Sequence, residues 1–88
     1  MTTETAMEMP QYQCHKKVWA LQIEKVAPDP RTGGAVLTFE EKPYAPRRVD
    51  ASYVVKHDPQ PGGYFVRYKD GYESFSPADA FESGYSRL

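Results

Sequence analysis

Cys14 and His15 stand side by side in "QYQCHKK", and His57 is the second of the chain's two histidines. A thiol with an imidazole is the pair from which a cysteine nucleophile and its base are made, and both are common zinc ligands. Adjacent residues favour separate directions over shared ligation, however, and no zinc-type spacing accompanies them. A nucleophile pair of Cys14 with His57 has no sequence signature either. The reading preferred here is a surface thiol and two solvated imidazoles, with no metal site and no cofactor.

Glu73, Asp79 and Glu82 form a second set, an acid and a base for proton transfer. Each has a structural role that competes with the chemical one. Glu73 falls opposite Arg67 in the hairpin derived below, and Asp79 lies in the first turn of a helix, where negative charge is favoured. The stretches "RTGG" and "PGG" lack the strand-loop-helix context and the lysine of a phosphate cradle. The residues therefore describe a binding domain and not an enzyme.

Basic residues gather at His15, Lys16 and Lys17 and again at Arg47 and Arg48, and rings interleaved with such charges are the means by which single strands are bound. Glu40, Glu41 and Asp50 lie close to the second pair and blunt its field. With a net charge of -1 there is no general attraction to nucleic acid or to an anionic membrane, so nucleic acid is disfavoured. The tyrosines are the more informative feature. Seven Tyr, four Phe and one Trp in 88 residues mean that rings fill much of the core and that some remain at the surface. Tyr64, Tyr68 and Tyr72 on one hairpin face, with Tyr44, Arg47 and Arg48, are the candidate contact residues, since Tyr and Arg concentrate binding energy at interfaces. The competing account is that neighbouring elements cover these rings and leave only their hydroxyls at the rim.

A chain of this length forms one small domain. Residues 1–12 are expected to be a flexible lead-in and residues 13–88 one globular α+β unit. One cysteine excludes an intramolecular disulfide, and no stretch has the pattern of a signal peptide or the length of a membrane span. Trp19, Leu21 and Ile23 alternate with Ala20, Gln22 and Glu24 as in a half-buried strand, although Trp19, Ile23 and Val26 also fit a helical stripe. The strand is preferred, with a break at "APDPRTGG" and a return along "AVLTFE" as an antiparallel hairpin. "EKPYAPRRV" is a loop or an edge segment because Pro43 and Pro46 lack ladder donors. Asp50 caps a short helix over "ASYVVKH", with Val54 and Val55 keeping a strand open.

"GYFVRYKDGYESFSPADAFESGY" carries the clearest signals. A three-residue loop of Lys69, Asp70 and Gly71 sets Tyr68 against Tyr72, Arg67 against Glu73 and Phe65 against Phe75. A two-residue loop would set Arg67 against Ser74 and Phe65 against Ser76. Ser76 then caps a helix with Pro77 at its first position, Phe81 in the core and Gly84 at its end. The tail "YSRL" is expected to return as a strand or to pack on the sheet through Tyr85 and Leu88.

This closing pattern resembles a widespread set of small phage and prophage proteins that end in a Gly-aromatic hairpin, an Asp-Gly turn, a Ser-Pro helix and a Phe-Glu-x-x-Tyr finish. The matching residues are Gly63 and Tyr64, Asp70 and Gly71, Ser74 to Pro77, and Phe81 to Tyr85. "HKKVWALQI" is similar to the first strand of such proteins, and "PGGYF" is distantly similar to the PGDYG group. The resemblance implies a phage or prophage origin without implying a mechanism.

The sequence thus predicts a small, sheet-dominated α+β domain of four to five mostly antiparallel strands, barrel-like in its curl, with one or two short helices. The expected function is a phage-encoded accessory module acting by protein contacts in the host cytoplasm, including inhibition of a host or defence factor. The alternatives are a ligand- or nucleotide-sequestering protein with a pocket at a homodimer interface, and a minor virion or assembly component. The identity of the partner is not specified by any of these residues.

Overall fold

The alternation of Trp19, Leu21 and Ile23 opens β1 (Trp19–Pro28) in the computed structural model, which describes residues 9–12 and 16–88. Cys14 and His15 lie outside the described residues, as does most of the expected lead-in. β1 serves two partners. Its first half pairs antiparallel with β4 (Tyr64–Arg67), Trp19 opposite Arg67 and Leu21 opposite Phe65. Its second half pairs with β2 (Ala35–Phe39), from Ile23 opposite Phe39 to Pro28 opposite Ala35. Glu24 is the extra residue of a bulge between Ile23 and Lys25, which bends the strand and sharpens its twist.

The bulge also resolves the ambiguity in the sequence. It shifts the side-chain phase by one residue, so Val26 packs on the same core as Ile23 three positions earlier. A helical stripe and a bulged strand give the same spacing there. The strand runs to Pro28, beyond the expected break.

β3 (Arg47–Val49) joins the free side of β2, and β5 (Glu73–Ser76) joins the free side of β4. The order β3-β2-β1-β4-β5 is a five-stranded antiparallel sheet curled into a half-barrel. "RRV" is thus an edge strand, which suits a segment preceded by Pro46. The curl brings the edges together. Arg47 on β3 forms an ion pair with Glu73 on β5 across the open side.

Helix α1 (Ala51–His57) occupies the predicted seven residues. The Asp50 carboxylate accepts the Tyr53 backbone N–H at 2.9 Å and the Ser52 hydroxyl at 2.8 Å. This satisfies a first-turn donor and holds the Asp50 carboxyl below its usual pKa, the Tyr53 N–H being the largest cause. The cap therefore decides between helix and strand here, against the β-branched Val54 and Val55. Asp58 ends the helix in the left-handed region at φ 44, its N–H donating to the Val54 carbonyl.

Ile23, Leu37 and Phe39 are essentially inaccessible and form one buried cluster with Ala35, Val49, Tyr53 and Phe65, and Val66 is buried as well. Phe65 is its centre of rings, with Phe39 and Tyr53 each at 6.0 Å between centroids. The Tyr53 hydroxyl donates to the Ser74 carbonyl on β5 at 2.8 Å, tying α1 to the edge strand. Its burial pushes the phenol pKa well up, so the ring stays a neutral donor.

The β4–β5 hairpin has the predicted register, Phe65 opposite Phe75 and Arg67 opposite Glu73. The loop is the three-residue form. Tyr68 N–H donates to the Tyr72 carbonyl at 2.9 Å, and Gly71 has φ 92. The helix that follows differs from expectation. Ser76 belongs to β5, and α2 (Ala78–Gly84) is preceded by Pro77 with no side-chain cap. The Ser76 hydroxyl faces the Pro77 carbonyl at 3.4 Å instead.

Phe81 is half-buried in a stack and not part of the core. The tail forms no strand, and Leu88 is exposed. Arg87 anchors it by a bidentate pair with Glu41, at 2.9 and 3.0 Å. Of the two expected apolar contacts Tyr85 makes one, stacking on Phe81, and Leu88 makes none, so the ion pair of Arg87 takes its place.

Three substitutions test this arrangement. Gly71→Val should lower unfolding stability by about 1–3 kcal/mol, the usual cost of holding a bulky residue at positive φ, while Gly71→Asn should cost less. No atom lies within 4 Å of a Cβ built there, so backbone strain alone is measured in urea titrations. Tyr53→Phe removes the side-chain donor to the Ser74 carbonyl, which keeps its place in the ladder opposite Val66, and should cost about 0.5–1.5 kcal/mol.

Candidate functional site

The half-barrel positions two adjoining aromatic surfaces. The first is an open groove of about 1190 Å³ lined by residues that include Trp19, Leu21, Tyr44, Phe65, Arg67 and Phe81. The second is the tip of the β4–β5 hairpin, where Tyr68 and Tyr72 stack at 5.9 Å between centroids. They meet at Lys16. This residue lines the groove, and its ammonium lies 5.4 Å from the Tyr68 ring centroid.

On the groove side, Tyr64, Phe81 and Tyr85 form a continuous stack, with centroid separations of 4.2 and 4.6 Å. The Tyr64 hydroxyl donates to Glu82 at 2.8 Å, and that bond to a carboxylate raises the phenol pKa. The stack is what fastens α2 to the sheet. The tyrosine face is therefore covered in part by neighbouring elements, α2 at Tyr64 and the end of α1 at Tyr72.

Arg67 was matched to Glu73 by register, and the two are indeed opposite one another. Their charges go elsewhere. Glu73 pairs with Arg47, and the Arg67 guanidinium carbon lies 5.7 Å from the centroid of Trp19, its register partner on β1. Trp19 remains 56% exposed, which leaves much of the chain's sole indole open to a partner.

At the hairpin tip, the Lys56 ammonium lies 5.1 Å from the Tyr72 ring centroid, and the Tyr72 hydroxyl is 3.4 Å from His57 Nε2. His57 also packs on Tyr53 at 4.8 Å between centroids. Partial burial and then the Lys56 charge lower the His57 pKa, because both disfavour the imidazolium.

The six candidate residues are thus divided. Tyr44, Arg47 and Tyr64 line the groove, and Tyr68 and Tyr72 form the tip. Arg48 pairs with Asp29 at 3.1 Å. Arg47 is engaged twice, by Glu73 and by the Phe65 ring at 5.3 Å, so both arginines serve the sheet edges. Trp19, Arg67, Lys56 and Phe81 were not singled out for contact. Their exposure depends on strand pairing between distant segments, and the sole legible signal was Trp19 at the start of an alternating strand.

No three His, Cys, Asp or Glu side chains converge as a metal site among the described residues. Gly34 of "RTGG" is required by close approach, since a Cβ there would sit 2.2 Å from the Val49 carbonyl oxygen. No helix among the described residues is long and apolar enough to cross a membrane.

No family model matches this chain, and no curated protein does. Among solved structures, the chain is similar to the NMR solution structure of the monomeric form of the phage L decoration protein. The TM-score is 0.63 at 31% identity, over 81% of this chain and 52% of that one. The chain thus spans about half the length of that relative. The likeness to a phage protein agrees with the phage resemblance of the sequence, and the relative is a decoration protein.

The geometry at His57 gives a direct check. A proton NMR titration should place its midpoint below the ordinary 6.5. Because the folded state holds this histidine neutral, its contribution to stability is present above the unfolded pKa and is lost as pH falls through the lowered folded value. His57→Gln should flatten that part of the pH–stability curve.

Proposed function

We propose that this protein is a virion component that attaches to the assembled phage particle. The observation that carries the reading is the 31% identity to a phage decoration protein across 81% of the chain, with a TM-score of 0.63. Shared architecture alone does not fix a function. Here identity along most of the chain accompanies the shared fold.

A particle-binding role also suits the surfaces described above. Exposed Trp19, Tyr44 and Tyr72 are large amphipathic or apolar groups held on strands or on short loops between them. Such groups form interface anchors at low entropic cost, because their carriers are already rigid. This favours the virion alternative over an accessory module in the host cytoplasm and over a ligand-sequestering dimer.

The test is co-sedimentation of the purified protein with intact particles of the phage or induced prophage that encodes it. Saturable binding to particles, and presence of the protein in purified virions, is the expected result. Particles that neither contain nor bind the protein would overturn the reading.

A further inference from the structure

The described cations divide into two groups by what they touch. Arg31, Lys42, Arg47, Arg48 and Arg87 are each ion-paired to a carboxylate. Lys25, on the second half of β1, has no such pair among the described residues, and neither have Lys17, Lys56, Arg67 and Lys69. The last four lie at one end of the half-barrel, where β1 begins, β4 ends and α1 finishes.

Rings hold two of them in place, Arg67 on Trp19 and Lys56 on Tyr72. Lys16 adds its charge over Tyr68. The nearby carboxylates are committed to turns. Asp70 accepts the Tyr72 N–H at 2.9 Å, and Asp58 accepts from Gln60 Nε2 at 3.2 Å. Both carboxylates keep their charge in those bonds, but Lys17, Lys56, Arg67 and Lys69 outnumber them four to two, so a chain of net charge -1 carries a positive excess at this end, over a floor of aromatic rings.

We infer that this end, built around Lys17, Trp19, Lys56, Arg67 and Lys69, is the docking surface, and that its occupant is an acidic segment on the outer surface of the capsid subunit. The identity of the occupant rests on the virion reading above. The positive charge and the chemistry of the patch rest on the geometry alone.

Charge complementarity selects an acidic partner, and the ring geometry selects protein over nucleic acid. Tyr68 and Tyr72 stack on each other, and a cation lies over each. A base needs an open ring face on which to stack, and at Tyr68 and Tyr72 these faces are already engaged, while Trp19, with Arg67 over its ring, stays partly open. A carboxylate needs only the outward ammonium and guanidinium hydrogens. Glu40 and Glu82 along the adjoining groove would also repel a polyanion running through it, while a short acidic segment ends before reaching them.

The experiment compares two exposed double substitutions that change the net charge equally. Lys17→Glu with Lys56→Glu alters the proposed surface, and Lys25→Glu with Arg31→Glu alters positions away from it. Folding of each is checked by circular dichroism. The first is expected to weaken particle binding by about tenfold or more, with loss of the salt dependence of association, and the second by less than about twofold. Equal binding by both variants would overturn the inference and leave particle attachment standing.

A titration followed by amide NMR, using a synthetic Glu-rich peptide and oligo(dT) as probes, separates the chemistry from the virion reading. Shifts at residues 17–19, 56 and 67–69 with the peptide support the acidic site even if particles do not bind the protein. No shifts with the peptide, or stronger shifts at the same amides with oligo(dT), would overturn it.

Discussion

Everything in this fold hangs on one strand changing partners at Ile23. On the N-terminal side of that residue β1 is bonded to β4, and on the C-terminal side to β2. Ile23 itself exchanges backbone bonds with the turn before β4, donating to the Gly63 carbonyl and accepting from Gly62 N–H, each at 2.8 Å. The Glu24 bulge supplies the bend that such an exchange needs. Without it the five strands would extend as a flatter sheet, and its edges would stand apart. With it, β3 and β5 come close enough for Arg47 to reach Glu73 and for Tyr53 to bond Ser74.

That closure then decides how charge is distributed. Glu73, taken by Arg47, is withdrawn from Arg67, and Arg67 settles on the ring of Trp19. Exposed ion pairs contribute little to stability, so the pairing matters more for what it leaves over than for what it adds. What it leaves over is a cationic end with aromatic support, away from the β1–β2 turn where Asp29 engages Arg31 and Arg48.

The likeness to a phage decoration protein fits a domain of this kind. A five-stranded half-barrel is a small, stiff platform whose loops and strand ends can be changed without disturbing the core. Its ring stacks fasten helix α2 and the hairpin tip to the sheet, so the groove and the tip are held in fixed relation. Binding by a rigid surface avoids the ordering cost that a flexible one would incur.

Local rules made a large part of this structure legible from the sequence. The Lys69–Gly71 loop and its register followed from turn chemistry and cross-strand pairing, and helix α1 from the Asp50 cap. The β1–β2 hairpin followed from two-residue alternation and an intervening Pro/Gly turn. In each case the deciding interaction joins residues close in the chain. Ser76 failed as a cap because β4 already held it in a ladder. Phe81 failed as a core residue because α2 packs on Tyr64, which alternates with the core residue Phe65 along β4 and so lies on the other face of the strand. The candidate surface was legible only in part, since Tyr64, Tyr68, Tyr72 and Tyr44 were found but Trp19 and Arg67 were not. Whether a ring is covered, and whether a cation is paired, depends on segments dozens of residues away. Only the curl of the sheet brings Arg47 to Glu73 and leaves Arg67 on Trp19, because long-range strand order sets those distances and no local pattern encodes it.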